Sequence, residues 1–171
     1  WDATRDRDRP GLDALARRLA DAVPSSQRSS VVHGDYRLDN CLLDPDRPGR
    51  IRAVLDWEMS TLGDPLTDLG LFLVYWAQAG EDRVAPSPVT TLPGFATRAE
   101  LADRYADRTG LDLGDLSWYV GFAYFKLAAI AAGVVARSAA GVMAGKDTRG
   151  FADRIGPCVE RGRAALDDGA I

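Results

Sequence analysis

The sequence contains few of the residues that mark secreted, disulfide-bonded or nucleic-acid-binding proteins. Its 171 residues include only two cysteines, Cys41 and Cys158, so no disulfide framework is implied and a reducing, cytoplasmic location is expected. The net charge of −4 argues against nucleic acid as a partner. The start at Trp1 has no basic segment followed by an apolar one, so no signal peptide is visible. Length and composition favour one globular domain.

One long apolar run raises the question of a membrane span. Residues Leu116–Ala136 are apolar except for Ser117 and Lys126. A charge in the middle of a membrane span costs roughly 2.5–3.5 kcal/mol on insertion scales. We therefore interpret the run as a buried helix and expect no membrane partner.

The spacing of apolar residues predicts a mainly helical chain. Leu12, Leu15, Leu19 and Val23 are three to four positions apart, which indicates an amphipathic helix ending near Pro24. Four more helices are predicted, separated in one place by a proline-containing loop at Glu81–Gly94. They are Asp64-Pro65 to near Gly80, Thr97–Thr109 closed by Gly110, a long helix from Asp115 or Ser117, and Phe151–Leu166.

Short β-prone runs occur only in the first third of the chain. Val31-Val32 predicts a short buried strand or an extended entry to the following loop, and Cys41–Leu43 and Ile51–Leu55 predict a small hairpin around a turn-rich segment. We expect this hairpin to present Asn40 at one end and Asp56 at the other. That arrangement could bring two oxygen ligands for a metal into one site.

The segment 31–68 places acidic and amide side chains at spacings that phosphoryl transfer uses. His33-Gly34-Asp35 is followed after four residues by Asn40, which matches the kinase catalytic-loop pattern H-x-D-x-x-x-x-N. Asp56-Trp57-Glu58 then lies where a kinase carries its magnesium-binding D-F-G. A carboxylate at Asp35 could orient a hydroxyl and take its proton, while Asn40 and Asp56 offer the oxygen ligands that Mg²⁺ prefers.

Three ordered motifs, HGDYRLDN, LDWE and GDPLTDL, carry a family resemblance. The stretch resembles the C-terminal lobe of aminoglycoside phosphotransferase-like kinases. It is similar to the kinase-like domain of acyl-CoA dehydrogenase family members 10 and 11 and their bacterial relatives, and the later run FKLAAIAAGVVAR resembles the same branch. The resemblance implies an α+β, mainly helical, protein-kinase-like lobe. It also implies transfer of the γ-phosphoryl group of ATP, or GTP, to a small-molecule hydroxyl with Mg²⁺.

The resemblance also implies a role for each motif residue. Asp35 would be the catalytic base, and Asn40 and Asp56 would hold the magnesium ion and, through it, the nucleotide. His33 would bond the backbone and hold the loop near Asp56. Asp68 would accept backbone N–H bonds from the catalytic loop and organise it.

Four further residues are candidates with a simpler alternative. Arg37 lies where Ser/Thr kinases often carry a lysine facing the transferred phosphoryl group, but an ordinary surface arginine fits equally well. Tyr119, Lys126 and Arg137 share one stripe of a 3.6-period helix. They could form a polar wall of an acceptor pocket, or could snorkel or pair internally.

The sequence lacks the glycine-rich loop and the lysine with which the N-terminal lobe of a kinase binds the nucleotide phosphates. It has no G-x-G-x-x-G loop, and its only lysines, Lys126 and Lys146, follow the catalytic motifs. Because a kinase takes the lysine for the α/β-phosphates from a preceding β-rich lobe, residues 1–171 are expected to be one C-terminal lobe of a longer protein. Alone, that lobe should be inactive.

The charge of the helical region bears on the acceptor. From Arg98 to Ile171 there are ten acids and ten bases, so this region is neutral. It has no excess of acidic residues that would bind a polycationic substrate such as an aminoglycoside. A hydroxyacyl-CoA or related hydroxy compound is therefore preferred as acceptor. An aminoglycoside-modifying kinase and a non-catalytic pseudokinase or binding module are the alternatives.

Overall fold

The computed structural model describes residues 9–81, 89–142 and 148–169. Helices dominate these residues, and the strands form two separate two-stranded antiparallel sheets. The mainly helical α+β prediction is confirmed; Lys146 and much of the predicted 81–94 loop lie outside the described residues. The helices are α1 (Pro10–Asp21), α2 (Leu66–Tyr75), α3 (Arg98–Thr109), α4 (Leu116–Ala139) and α5 (Arg149–Asp168), and the strands are β1 (Ser30–Val32), β2 (Cys41–Asp44), β3 (Arg47–Val54) and β4 (Thr61–Gly63).

Helix α4 is the centre of the hydrophobic core. It packs against α5, α2 and α1, and its Ala123 and Ala128 are fully buried. The approach of α2 is close: a Cβ added at Gly70 would lie 2.6 Å from the carbonyl oxygen of Tyr119. Only glycine permits this contact, which fixes the position of α2, and of the site residues it carries, against α4.

The apolar composition of α4 goes with burial inside the protein. By length and composition alone this helix could span a membrane, since the mean hydropathy of its most apolar 18-residue window is 1.7. However, 56% of that window is buried against the rest of the chain. This burial agrees with the core-helix interpretation.

Capping residues predicted from the sequence are found at both ends of α3 and at the start of α2. The Thr97 hydroxyl accepts from the Glu100 N–H, the Glu100 carboxylate accepts from the Thr97 N–H, and Gly110 closes α3 at φ 70°, as the sequence predicts. Asp64 caps α2 by accepting the Leu66 N–H at 2.9 Å.

The prediction that α2 runs to near Gly80 was wrong. The helix ends at Tyr75, because long-range contacts compete for its last turn. The guanidinium of Arg98 donates to the Leu73 carbonyl at 2.8 Å, and the Trp76 indole donates to the Ala96 carbonyl at 2.8 Å. The chain leaves the helix to make these bonds.

The two small sheets position the catalytic segment. Strands β2 and β3 form the predicted hairpin, with Cys41 opposite Val54 and a Leu55 N–H that donates to the Asn40 carbonyl at 2.8 Å. Asn40 and Asp56 therefore lie at the same open end of the hairpin, not at its two ends. The second pair, β1 with β4, was not predicted in full, since β4 follows Asp56 in a segment without a strand pattern.

Candidate active site

The catalytic loop is suspended from the carboxylate of Asp68 in α2. Its Oδ2 accepts the His33 N–H at 2.6 Å and its Oδ1 accepts the Gly34 N–H at 2.8 Å. Gly34 has φ 83°, and an added Cβ would lie 2.7 Å from the Met59 carbonyl oxygen. Both geometry and space therefore require glycine here, which keeps the turn tight enough for two successive N–H groups to reach one carboxylate.

His33 ties this loop to the segment that carries Asp56. The imidazole is 3% exposed, its Nε2 lies 2.8 Å from the Leu55 carbonyl oxygen, and its Nδ1 accepts the Asp35 N–H at 3.2 Å. These contacts require the tautomer protonated at Nε2. The ring also lies against Trp57, with centroids 4.6 Å apart. With both nitrogens engaged by backbone, His33 serves as a brace.

The carboxylate of Asp35 is held on both oxygens. Buried Asn40 donates from Nδ2 to the Asp35 carbonyl at 2.8 Å and to Oδ2 at 3.2 Å. The hydroxyl of Tyr75, from the last turn of α2, donates to Oδ1 at 3.2 Å. Burial, followed by the nearby Asp35 charge, raises the pKa of Tyr75 to about 12, so the hydroxyl keeps its proton at neutral pH.

Arg37 lies beside Asp35, and one of its N–H donors has no hydrogen-bond partner in the described part of the chain. Its Nε is 3.5 Å from Asp35 Oδ2, and its guanidinium lies 5.3 Å from the centroid of the Tyr75 ring. Within the described residues, Nε is a buried donor without a hydrogen-bond partner. A buried unpaired donor is costly unless an acceptor arrives, and a phosphoryl oxygen next to Asp35 would supply one. An ordinary surface arginine, the alternative interpretation of Arg37, would not have a buried Nε without a hydrogen-bond partner.

Asp56 adopts a conformation that side chains rarely take. It has φ 67° and ψ 53°, and it is the sole non-glycine residue with positive φ in the part of the chain described. Its carboxylate is exposed at the open end of the hairpin. Asn40 lies at the same end, and because its amide nitrogen donates to Asp35, its amide oxygen is the atom left to act as a metal ligand. One carboxylate and one amide oxygen are a donor set suited to Mg²⁺.

The described residues contain no cluster of three or more His, Cys, Asp or Glu side chains that would hold a metal by themselves. Two protein ligands agree with the coordination habit of Mg²⁺, which retains waters and completes its shell with substrate phosphates. The residues present therefore fit a nucleotide-linked magnesium ion.

A pocket of about 370 Å³ opens next to Asp35. Lys126 from α4 enters it and donates a hydrogen bond to the Gly34 carbonyl. Burial lowers the pKa of Lys126, although the carboxylates of Asp35 and Asp68 act in the opposite direction. The lining combines charged and apolar side chains, the latter mainly from α4 and α5. It comprises Asp35, Arg37, Met59, Tyr75, Lys126, Leu127, Ile130, Ala131, Phe151, Arg154 and Cys158.

The predicted stripe on α4 is divided among three environments. Lys126 reaches the pocket beside Asp35. Arg137 lines a neighbouring depression of about 350 Å³, in which Lys126 also takes part. Tyr119 is 3% exposed, and its hydroxyl donates to Asp64 Oδ2 at 2.9 Å. Burial and this bond raise the pKa of Tyr119. Tyr119 therefore supports Asp64, the capping residue of α2, and does not line the pocket.

Sequence reasoning missed Tyr75. It lies seven residues after Asp68, so the two side chains share one face of α2 two turns apart. The signal available was this spacing, since a residue two turns beyond the loop-organising aspartate points toward the same loop.

Comparison with known proteins finds phosphotransferases among the similar families and structures. The family model APH, described as the phosphotransferase enzyme family, matches residues 1–118. A Ralstonia eutropha JMP134 crystal structure, provisionally assigned as an aminoglycoside phosphotransferase, superposes with a TM-score of 0.79 at 32% identity and covers 96% of this chain and 51% of its own.

Two curated relatives are members of the acyl-CoA dehydrogenase family. Human acyl-CoA dehydrogenase family member 11 is 32% identical over 95% of this chain, which spans 21% of that protein. Mouse family member 10 is 36% identical over 77% of this chain, which spans 13% of that protein. The kinase-like fold and the family match together show that this chain belongs to the phosphotransferase enzyme family.

Proposed function

We propose that this chain is the C-terminal catalytic lobe of a small-molecule kinase that transfers the γ-phosphoryl group of ATP to a substrate hydroxyl. The observation that carries the proposal is the Asp35 carboxylate, held on both oxygens at the edge of a pocket large enough for a small acceptor. A fixed carboxylate beside a pocket is the arrangement a general base requires.

In the proposed mechanism the chain's residues orient and deprotonate the acceptor. One Asp35 oxygen accepts the hydroxyl proton while the hydroxyl oxygen bonds to the γ-phosphorus. The bond from that phosphorus to the bridging oxygen breaks, and ADP leaves with the electron pair. The Arg37 Nε donates to an oxygen of the transferred group. Asn40 and Asp56 would hold Mg²⁺, which supplies neutralisation of the phosphate charge when bound.

The proposal includes a preceding nucleotide-binding lobe as partner. Apolar side chains are exposed on the strands and on the segment after Asp56, around the predicted metal ligands. They include Leu42 at 51%, Leu43 at 53% and Trp57 at 48%. Such a patch is typical of a surface covered by another unit. We therefore expect the isolated chain to bind Mg-ATP weakly and to catalyse no transfer. Micromolar ATP binding by these 171 residues in calorimetry would contradict this arrangement.

The pocket favours a neutral or anionic acceptor with an apolar part. Its charged lining comprises three cations, Arg37, Lys126 and Arg154, against one acid, Asp35. A polycationic aminoglycoside would meet like charges there, whereas a hydroxyacyl-CoA would present an acyl segment to Ile130 and Phe151. The acyl-CoA dehydrogenase names of the relatives add support to a CoA-linked acceptor. Both cysteines are free, which fits the cytoplasmic location we propose.

The test is a coupled assay of ADP formation by the two-lobed protein. Hydroxyacyl-CoAs that differ in hydroxyl position are screened beside kanamycin-type aminoglycosides. We expect transfer to at least one hydroxyacyl-CoA. Efficient phosphorylation of kanamycin with inert hydroxyacyl-CoAs would contradict the acceptor assignment, and no transfer with ordinary nucleotide binding would favour the pseudokinase.

The base is tested by Asp35→Asn, with Asp103→Asn, an exposed acid on α3 away from the pocket, as matched control. Because asparagine cannot take the hydroxyl proton, turnover should fall by about 10²- to 10⁴-fold while nucleotide affinity is kept. The control should remain within about threefold of the wild type. An Asp35→Asn protein that is equally active would remove Asp35 from this role.

A further inference from the structure

We propose that Tyr75 is a positioning residue that fixes the orientation of the Asp35 carboxylate from the α2 side of the acceptor pocket. The proposal rests on the role of Asp35 in the proposed function. Its basis is the hydrogen bond of 3.2 Å from the Tyr75 hydroxyl to Asp35 Oδ1, within the lining of one pocket.

The other contacts of Asp35 leave its orientation incompletely fixed. Asn40 Nδ2 at 3.2 Å and Arg37 Nε at 3.5 Å both approach Oδ2. The terminal torsion of an aspartate has a broad, roughly two-fold energy profile, so contacts to one oxygen allow the carboxylate to turn. Within the described contacts, the Tyr75 hydroxyl donates to Oδ1. Together with the contacts to Oδ2, it forms a clamp that holds the carboxylate on both oxygens.

Helix α2 is a rigid support for this clamp. Its Asp68 holds the two N–H groups that precede Asp35, and Tyr75 holds the Asp35 side chain two turns later. The close contact of Gly70 with the Tyr119 backbone keeps α2 against α4. A single helix thus fixes both the backbone and the carboxylate of the base, which is how supporting residues hold a reactive group within tenths of an ångström.

The tyrosine also allows a clean separation of its hydroxyl from its ring. The ring supports the Arg37 guanidinium, whose centre lies 5.3 Å from the centroid, and this contact needs no hydroxyl. Tyr75→Phe therefore removes the bond to Asp35 while retaining the stacking surface and the volume. Any effect on transfer then reports on the orientation of Asp35, not on Arg37.

The first experiment compares Tyr75→Phe with Tyr105→Phe in the two-lobed protein, with Mg-ATP and a hydroxyacyl-CoA as probes. Tyr105 is a half-buried tyrosine of α3 that lines a different pocket. For Tyr75→Phe we expect kcat of transfer to fall about 10- to 100-fold with the KM for ATP unchanged, because a misplaced base slows chemistry without weakening nucleotide binding. ATP hydrolysis to phosphate should rise relative to transfer. The control should match the wild type.

The second experiment needs no acceptor. A crystal structure of the Tyr75→Phe two-lobed protein should show the Asp35 carboxylate turned or in two orientations. A carboxylate unmoved from its wild-type position, or a kcat within about twofold of wild type, would overturn the role of Tyr75. If no acceptor is phosphorylated but the carboxylate has turned, the proposed function fails while the clamp stands.

Discussion

Replacing Asp68 with asparagine should cost both stability and catalysis, because its two oxygens accept two N–H groups of the catalytic loop, at 2.6 and 2.8 Å. Hydrogen bonds to charged groups contribute about 1.5–3 kcal/mol each. Asparagine retains one acceptor and turns a donating NH₂ toward the second N–H, which is left unsatisfied. Since the side chain is half-buried, we expect a loss of about 3 kcal/mol in the free energy of unfolding.

The assay is urea unfolding followed by far-UV circular dichroism, with turnover of the two-lobed protein measured in parallel. Asp103→Asn, at an exposed site on α3, is the matched control and should change stability by no more than about 0.5 kcal/mol. Turnover of Asp68→Asn should fall about 10²-fold, because the loop that carries Asp35 shifts. An Asp68→Asn protein as stable and as active as the control would refute the suspension of the loop from α2.

Two further changes test the helix end and the acceptor pocket. Burial of Glu81 works against its ionisation, but bonds from Arg98 at 2.6 and 2.7 Å, together with the Gln78 N–H at 3.1 Å, outweigh it and hold its pKa below the usual 4.5. Glu81→Gln should therefore cost about 2 kcal/mol in urea unfolding at neutral pH, because buried Arg98 loses its partner. In the wild type this contribution is present above pH 4.5 and is lost as the pH falls through the lowered value, so a wild-type advantage that does not diminish as the pH is lowered below 4.5 would contradict the pairing. Lys126→Met should raise the KM for an anionic acceptor about tenfold with little change in the KM for ATP; equal changes in both would show that the lysine serves the nucleotide instead.

The sequence predicts those elements whose signals lie within the element itself. Helix α3 begins and ends as predicted because Thr97, Glu100 and Gly110 form its caps. Helix α2 ends early because Arg98, far along the chain, takes a carbonyl of its last turn. No local pattern carries that information, since the contact depends on how α3 folds back onto α2.

The same distinction applies to the site. The catalytic-loop spacing brings Asp35 and Asn40 together because a few consecutive residues determine it. On α4, however, the 3.6-residue period predicts a shared face without predicting shared neighbours. Seven residues of helix advance about 10 Å and eleven about 16 Å, so Tyr119, Lys126 and Arg137 meet different partners. Periodicity alone could not separate a residue in the pocket from one that braces the cap of α2.

Asp56 adopts a backbone conformation that its own residue type disfavours. A non-glycine residue in the left-handed region costs on the order of 1–3 kcal/mol unless its surroundings enforce it. Here both flanks are tied down: the Leu55 N–H and carbonyl bond Asn40 and His33, and the Trp57 indole donates to the Val54 carbonyl at 2.8 Å. Glycine would relieve the strain but would lack the carboxylate that we propose as a magnesium ligand. The hairpin and the buried histidine thus hold a carboxylate where backbone preference alone would not place one.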